Sequence, residues 1–475
     1  MKSNHPIDAP SYTSPVLPGP YAHTALGRFD ARFLTAPLAR RMLLALLALT
    51  LLLPSVQMVR KIGQTDVSIW RGERGRSALG RWLLDARALR DGRNPYEPTN
   101  WFPTPPLNLL AIVPLTYVPP QAAGAIWCAA KILLVLAALA YVARAAGPGG
   151  RPLPAGVLLM AGLFSFRPVV GDLQHGNLNL FVLAELALFW GLLLRGRDVA
   201  AGVALGLAIT TKITPLLLLA WIIYKRSWRV AAGTAIGLLL FVIVIPGLLL
   251  GFERNARFLQ SWHELMVAPY AVHGYLSNEI ANQSLPAAMM RWAAHVGWLT
   301  VEDMPSEMVQ QTGMEHMARA ATTAGRLYLR IGGALIVLLL AWWCRGRLAR
   351  PATSAGRGSS PRHDARPALE FALVLLAMLL ISERTWKHHA VTLVLVYLSI
   401  WRGLAYEAWS NRFTVLCVIG LVAQWFMLIG SGEGVFGDEF ADLLLYNGVF
   451  CLGLLLCFIQ TGAMVSLMRR KESLN

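Results

Sequence analysis

The chain has 475 residues, 56% of them hydrophobic and 15% charged, with a formal net charge of +17 and a mean hydropathy of +0.50. Soluble domains carry about 25% charged residues, so the composition excludes an ordinary soluble enzyme. The basic residues stand mostly between apolar runs, which assigns them to topology and to lipid head groups and excludes nucleic acid as the partner.

Residues 1–39 are polar and rich in Pro, Ser and Ala, and read as a disordered cytoplasmic tail. The first apolar run begins near residue 42, too late for a typical signal peptide. From there the sequence predicts one all-α polytopic membrane domain over 40–475. Its spans, about twelve, are 42–58, 122–144, 153–169, 177–194, 199–211, 213–224, 228–250, 325–343, 367–382, 389–402, 413–430 and 446–467. The first long loop, 59–121, contains Asp66, Asp85 and Tyr96, and a proline-interrupted run, 102–118, read as interfacial or re-entrant.

Charge decides the short pair 199–211 and 213–224. Arg195 and Arg197 precede it, and Lys225, Arg226 and Arg229 follow it. Both flanks belong in the cytoplasm by the positive-inside rule. Two short spans meeting near Lys212-Ile213-Thr214-Pro215 satisfy that, with Pro215 opening the second. The Arg-rich loop 345–366 and both termini then fall inside, and the loops 59–121 and 251–324 fall outside. The basic character of loop 59–121 is the exception to the rule. Five cysteines, Cys128, Cys344, Cys417, Cys451 and Cys457, lie in or beside apolar runs without metal-binding spacing and read as free thiols.

On this topology the unusual polar residues gather at the outer face. Lys212 is a cation inside an apolar stretch, a placement that is costly unless paired or functional. Arg167 and Asn177-Leu178-Asn179 bracket a short outer turn holding Asp172 and His175; the two asparagines suit either a helix cap or hydrogen bonds to a sugar or phosphate. His388-His389 open a span. Adjacent histidines point in different directions, so a phosphate or hydroxyl contact fits them better than a shared metal, and no metal or other cofactor is expected. Asn282-Gln283-Ser284 adds amides in the second outer loop.

Together these stretches resemble glycosyltransferase family 87, membrane enzymes of the GT-C fold class. The resemblance is carried by Asp66-Val-Ser-Ile-Trp70, Ala86 to Tyr96, Gly176-Asn-Leu-Asn179, Ala201 to Pro215 with Lys212 inside it, Asn282-Gln-Ser-Leu285, and Ser382 to His389. It implies transfer of a hexose, typically mannose, from a polyprenyl-phosphate donor to a lipid or glycan acceptor at the outer leaflet, with inversion. A carboxylate takes the proton of the attacking hydroxyl, and fixed cations stabilise the leaving phosphate. Asp66 is the expected base. Lys212, His388, His389 and Arg167 are the expected phosphate ligands, and Asn177, Asn179, Tyr96, Asn282 and Gln283 the expected substrate contacts. Asp66 stands farther from Tyr96 than the family's spacing, which an insertion around 71–79 explains, and Asp85 is the competing base. Two rival readings share the many spans and buried cations: a transporter or flippase of lipid-linked saccharides, and a polymerase or ligase of them. Transporters often carry an internal repeat, and none is evident here.

Overall fold

The computed structural model describes residues 24–34, 36–64, 77–96, 102–147, 152–312, 314, 316–348, 365–432 and 436–474. Asp66 lies outside the described residues.

Every predicted span has a helical counterpart, but among the described residues only eight helices are long and apolar enough to cross a membrane: Pro37–Gly63, Pro120–Ala146, Ala155–His175, Trp228–Leu250, Thr323–Trp343, Lys387–Tyr406, Asn411–Gly430 and Val449–Lys471. The other four, Asn179–Leu194, Asp198–Thr211, Leu216–Tyr224 and Arg366–Ile381, have 9 to 16 residues. A full crossing needs about 20. Several of these short helices pack centrally: every residue from Ala368 to Leu380 is buried.

The tail expected to be disordered is helical over Ala25–Phe29 and Asp30–Leu34. Thr24 caps it by accepting from Gly27 N, and Asp30 accepts from Gly156 N at 3.3 Å, which docks the turn onto the helix Ala155–His175. A capped turn with a buried carboxylate ties this part of the tail to the bundle.

The helices Asp198–Thr211 and Trp228–Leu238 approach more closely than any side chain would allow. A Cβ on Gly202 would sit 2.2 Å from Val230 O, and one on Gly233 would sit 2.3 Å from Val199 O. Gly206 and Gly237 repeat the contact one turn on. Small residues four apart let membrane helices pack backbone to backbone. The first helix then stops at Thr211, because Pro215 has no N–H to continue the ladder and Lys212 is extended at φ −154°, ψ 132°.

The long loop after Leu250 is ordered. Helix Phe252–Trp262 leads into a three-stranded antiparallel sheet, ordered β1–β3–β2, made of β1 Leu276–Ser277, β2 Val301–Asp303 and β3 Met317–Ala320. Helix Leu285–His295 crosses between β1 and β2. The first long loop contains a helix too, Ala78–Arg90, and a short one at Pro106–Ile112 that tightens into a 3₁₀ turn at Val113–Tyr117.

Polar clusters occur at both ends of the bundle, where the sequence pointed to one. At the end opposite Lys212, Lys225 pairs with Glu370 at 2.5 Å, and Arg469 reaches the same carboxylate at 3.0 Å. Lys225 also donates to the carbonyls of Cys344 and Gly346. These charges pair with one another and with backbone, which staples the ends of four helices.

Candidate active site

The break at Lys212 is the centre of the other cluster. Lys212 Nζ donates to Asn179 Oδ1 at 2.8 Å, and Asn179 Nδ2 donates to Asp172 Oδ1 at 3.0 Å. Asp172 is ion-paired with Lys131 at 2.5 Å. One relay therefore joins four helical segments. It is built locally by Gly176, whose φ of 67° ends the helix Ala155–His175 and turns the chain so that Asn179 starts the next helix over Asp172. Asn179 caps nothing; Asn177 Oδ1 accepts only from Leu178 N.

A small cavity opens beside this relay. Its lining is polar and cationic at Asn179, Lys212, Thr214, Ser382, Arg384, Thr385, His389 and Thr392, and apolar at Val182, Met378, Leu379 and Val391. Lys212 lies outside the spanning helices. Burial pushes its ammonium down to about 8, against the opposing pull of Glu383 and Asp172. Near neutral pH it is still a cation, and among the described residues it is in no ion pair.

His388 and His389 stand with their rings at 87° to one another, so they face different neighbours. His389 lines the cavity and its Nδ1 lies 3.2 Å from Arg384 O. His388 points behind the wall, with Nε2 3.2 Å from Asn177 Nδ2 and its ring 4.6 Å from that of His175. Arg167 is not in the cavity lining; its guanidinium passes beside Gly171 and Gly432.

Asn282, Gln283 and Tyr96, expected as substrate contacts, lie outside the cavity lining and are engaged with backbone. Asn282 is wholly buried, donating to Ser277 O and Glu383 O and accepting from Thr385 N and Ser284 N. Gln283 is equally buried between Ile280 O, Leu445 O and Cys451 N. Backbone groups are their partners: Asn282 ties the 383–385 segment to Ser277 of β1, and Gln283 ties the loop to Leu445 and Cys451. Tyr96 is 1% exposed and donates to Thr104 O. Asp85 is buried and does not line the cavity. Among the described residues no cluster of three His, Cys, Asp or Glu side chains is arranged to hold a metal.

Arg384 and Thr392 line the cavity and Lys131 backs it through Asp172; of the three, only Arg384 lies in a stretch that carries the family resemblance. A lysine in the run Ala129-Ala130-Lys131-Ile132-Leu133 was the available signal, because an ionisable group at membrane depth requires a partner.

A model of glycosyltransferase family 87 matches residues 102–382. That stretch takes in Lys131, Asp172, Asn179, Lys212 and the 278–284 loop, and ends at Ser382, before the paired histidines. No curated protein matches the chain. Among solved structures, the crystal structure of ArnT from Cupriavidus metallidurans bound to undecaprenyl phosphate is similar at 13% identity and a TM-score of 0.37, over 89% of this chain and 76% of that one.

Proposed function

The chain belongs to glycosyltransferase family 87, and from that premise we propose that it moves a hexose, mannose in the family's pattern, from a polyprenyl-phosphate donor to a lipid or glycan acceptor at the outer leaflet. It is a multi-pass membrane glycosyltransferase, and family membership carries the GT-C class with it. The observation that supports the donor reading best is the half-buried ammonium of Lys212, held by Asn179 in a cavity lined by both polar and apolar side chains. That pairing of a cation with apolar lining suits a phosphate joined to a hydrocarbon chain.

In the proposed reaction the donor phosphate sits on Lys212 and His389, with His388, Asn177 and Arg167 backing that wall. The acceptor hydroxyl is a poor nucleophile, and Asp66 takes its proton as it attacks the anomeric carbon. One displacement inverts that centre, so a β-linked donor gives an α-linked product. The outer face carries the site, and both termini are cytoplasmic by the charge of the connecting loops.

The test of the base is release of free polyprenyl phosphate from polyprenyl-phosphate-mannose by the purified enzyme in lipid. Wild type, Asp66→Asn and Asp85→Asn are compared side by side. Loss in Asp66→Asn alone supports the assignment. Loss in Asp85→Asn alone transfers the role to Asp85. A wild type silent with several donors and acceptors returns the transporter and ligase readings to the front.

A further inference from the structure

Arg384 lines the cavity with Lys212 and, among the described residues, is in no ion pair. Its Nε is buried without a hydrogen-bond partner. Among the described residues its Nη2 reaches the sulfur of Met317 alone, at 3.5 Å, and the guanidinium lies 5.3 Å from the Trp386 ring centre. Sulfur and an aromatic face orient a guanidinium without neutralising it. The adjacent Glu383 carboxylate accepts from Ser382 Oγ at 3.2 Å. Thr392 Oγ1, buried in the cavity lining, is likewise without a partner among the described residues. By contrast Lys131 behind the wall is neutralised by Asp172. The cavity lining thus carries two cations, Lys212 and Arg384, neither in an ion pair among the described residues, with the Glu383 carboxylate acting on Lys212 from nearby.

We propose that Arg384 is a catalytic residue of the transfer, binding the leaving phosphate and supplying the positive charge that the departing monoester requires and the intact diester does not. The assignment rests on the polyprenyl-phosphate reading above. As the acceptor oxygen bonds to the anomeric carbon, the bond from that carbon to the bridging phosphate oxygen breaks. Its electron pair stays on that oxygen, and the acceptor's proton passes to the base. The phosphate goes from one negative charge towards two. Lys212 matches the first and Arg384 the second, so Arg384 acts more strongly in the transition state than in the ground state. A planar fork suits two oxygens of one phosphate better than a point charge does.

Equilibrium binding to the full chain in lipid nanodiscs tests this, with a polyprenyl monophosphate and the matching polyprenyl-phosphate-mannose as probes. In wild type, monophosphate binding tightens as pH rises through the second phosphate ionisation at about 6, while diester binding stays flat. Arg384→Gln weakens monophosphate binding about 30-fold and diester binding no more than about threefold. Its single-turnover transfer falls about 100-fold. Equal losses for both lipids, or an unchanged transfer rate, overturn the assignment. Should Arg384→Gln fail to fold, the wild-type profile decides alone: a monophosphate affinity indifferent to pH overturns it. A wild type that binds neither lipid overturns the polyprenyl-phosphate reading itself, and this assignment with it.

Discussion

Lys131 and Asp172 meet at 2.5 Å with both side chains fully withdrawn from solvent, and the pair stands directly behind Asn179, the residue that holds Lys212. Removing one partner of such a pair leaves an uncompensated charge, at a cost of about 3–5 kcal/mol. Lys131→Met is therefore expected to lower the thermal midpoint in detergent sharply and to weaken donor binding. Lys131→Met combined with Asp172→Leu is expected to recover stability but not binding, because Asn179 has lost its acceptor. A double-mutant cycle on midpoint and donor affinity measures both.

The glycine crossing that carries the Lys212 helix is the second place where one atom decides the outcome. Gly202→Ala and Gly233→Ala would drive a methyl into backbone at 2.2 and 2.3 Å. Each is expected to destabilise by about 2 kcal/mol or more. Gly162→Ala and Gly333→Ala meet nothing within 4 Å and should be neutral or slightly stabilising. Midpoints of the four variants in one detergent check the contrast.

Asn108 is expected to position Lys212 without touching substrate. Its Nδ2 donates to Thr104 Oγ1 at 3.0 Å and to Thr210 O at 3.2 Å, a carbonyl at the end of the broken helix. Asn108→Leu leaves that buried carbonyl without its side-chain partner, at about 1–3 kcal/mol. Donor KM should rise well before kcat falls, and Asn108→Gln should restore part of the loss. Steady-state kinetics on the two variants separates these effects.

Donor affinity should depend on pH through Lys212. Burial lowers its pKa to about 8 in the free enzyme. Below that pH the ammonium is already charged and affinity is flat. Above it, binding must take up a proton, so Kd rises by about tenfold per pH unit. Donor binding measured between about pH 6.5 and 9.5 gives the profile, and Lys212→Gln should flatten it.

Much of this site was legible in the sequence because polar residues inside apolar runs are conspicuous. Lys212, Asn179 and His389 stood out for that reason, and the structure brings them to one cavity. What stayed hidden depended on pairing across distance. Lys131 and Asp172 are 41 residues apart, and nothing local announces their bond. Arg384 read as one charge in a run before the histidines, and its place in the cavity lining, in no ion pair among the described residues, is what gives it meaning. Asn282 and Gln283 show the reverse case. Amides in an outer loop look available for substrate, yet these two are used on backbone, of their own loop and of the segments at Glu383 and Leu445. The sheet itself was invisible, because strands of two to four residues are too short to show a period.

The central claim is that the Lys212 cavity holds the phosphate of a lipid-linked sugar. The most direct measurement is donor-dependent release of polyprenyl phosphate by wild type and Lys212→Gln, both shown folded by monodisperse elution. The account predicts turnover in wild type and a loss of about 100- to 1,000-fold in the variant. A Lys212→Gln enzyme that releases the lipid at the wild-type rate would contradict it.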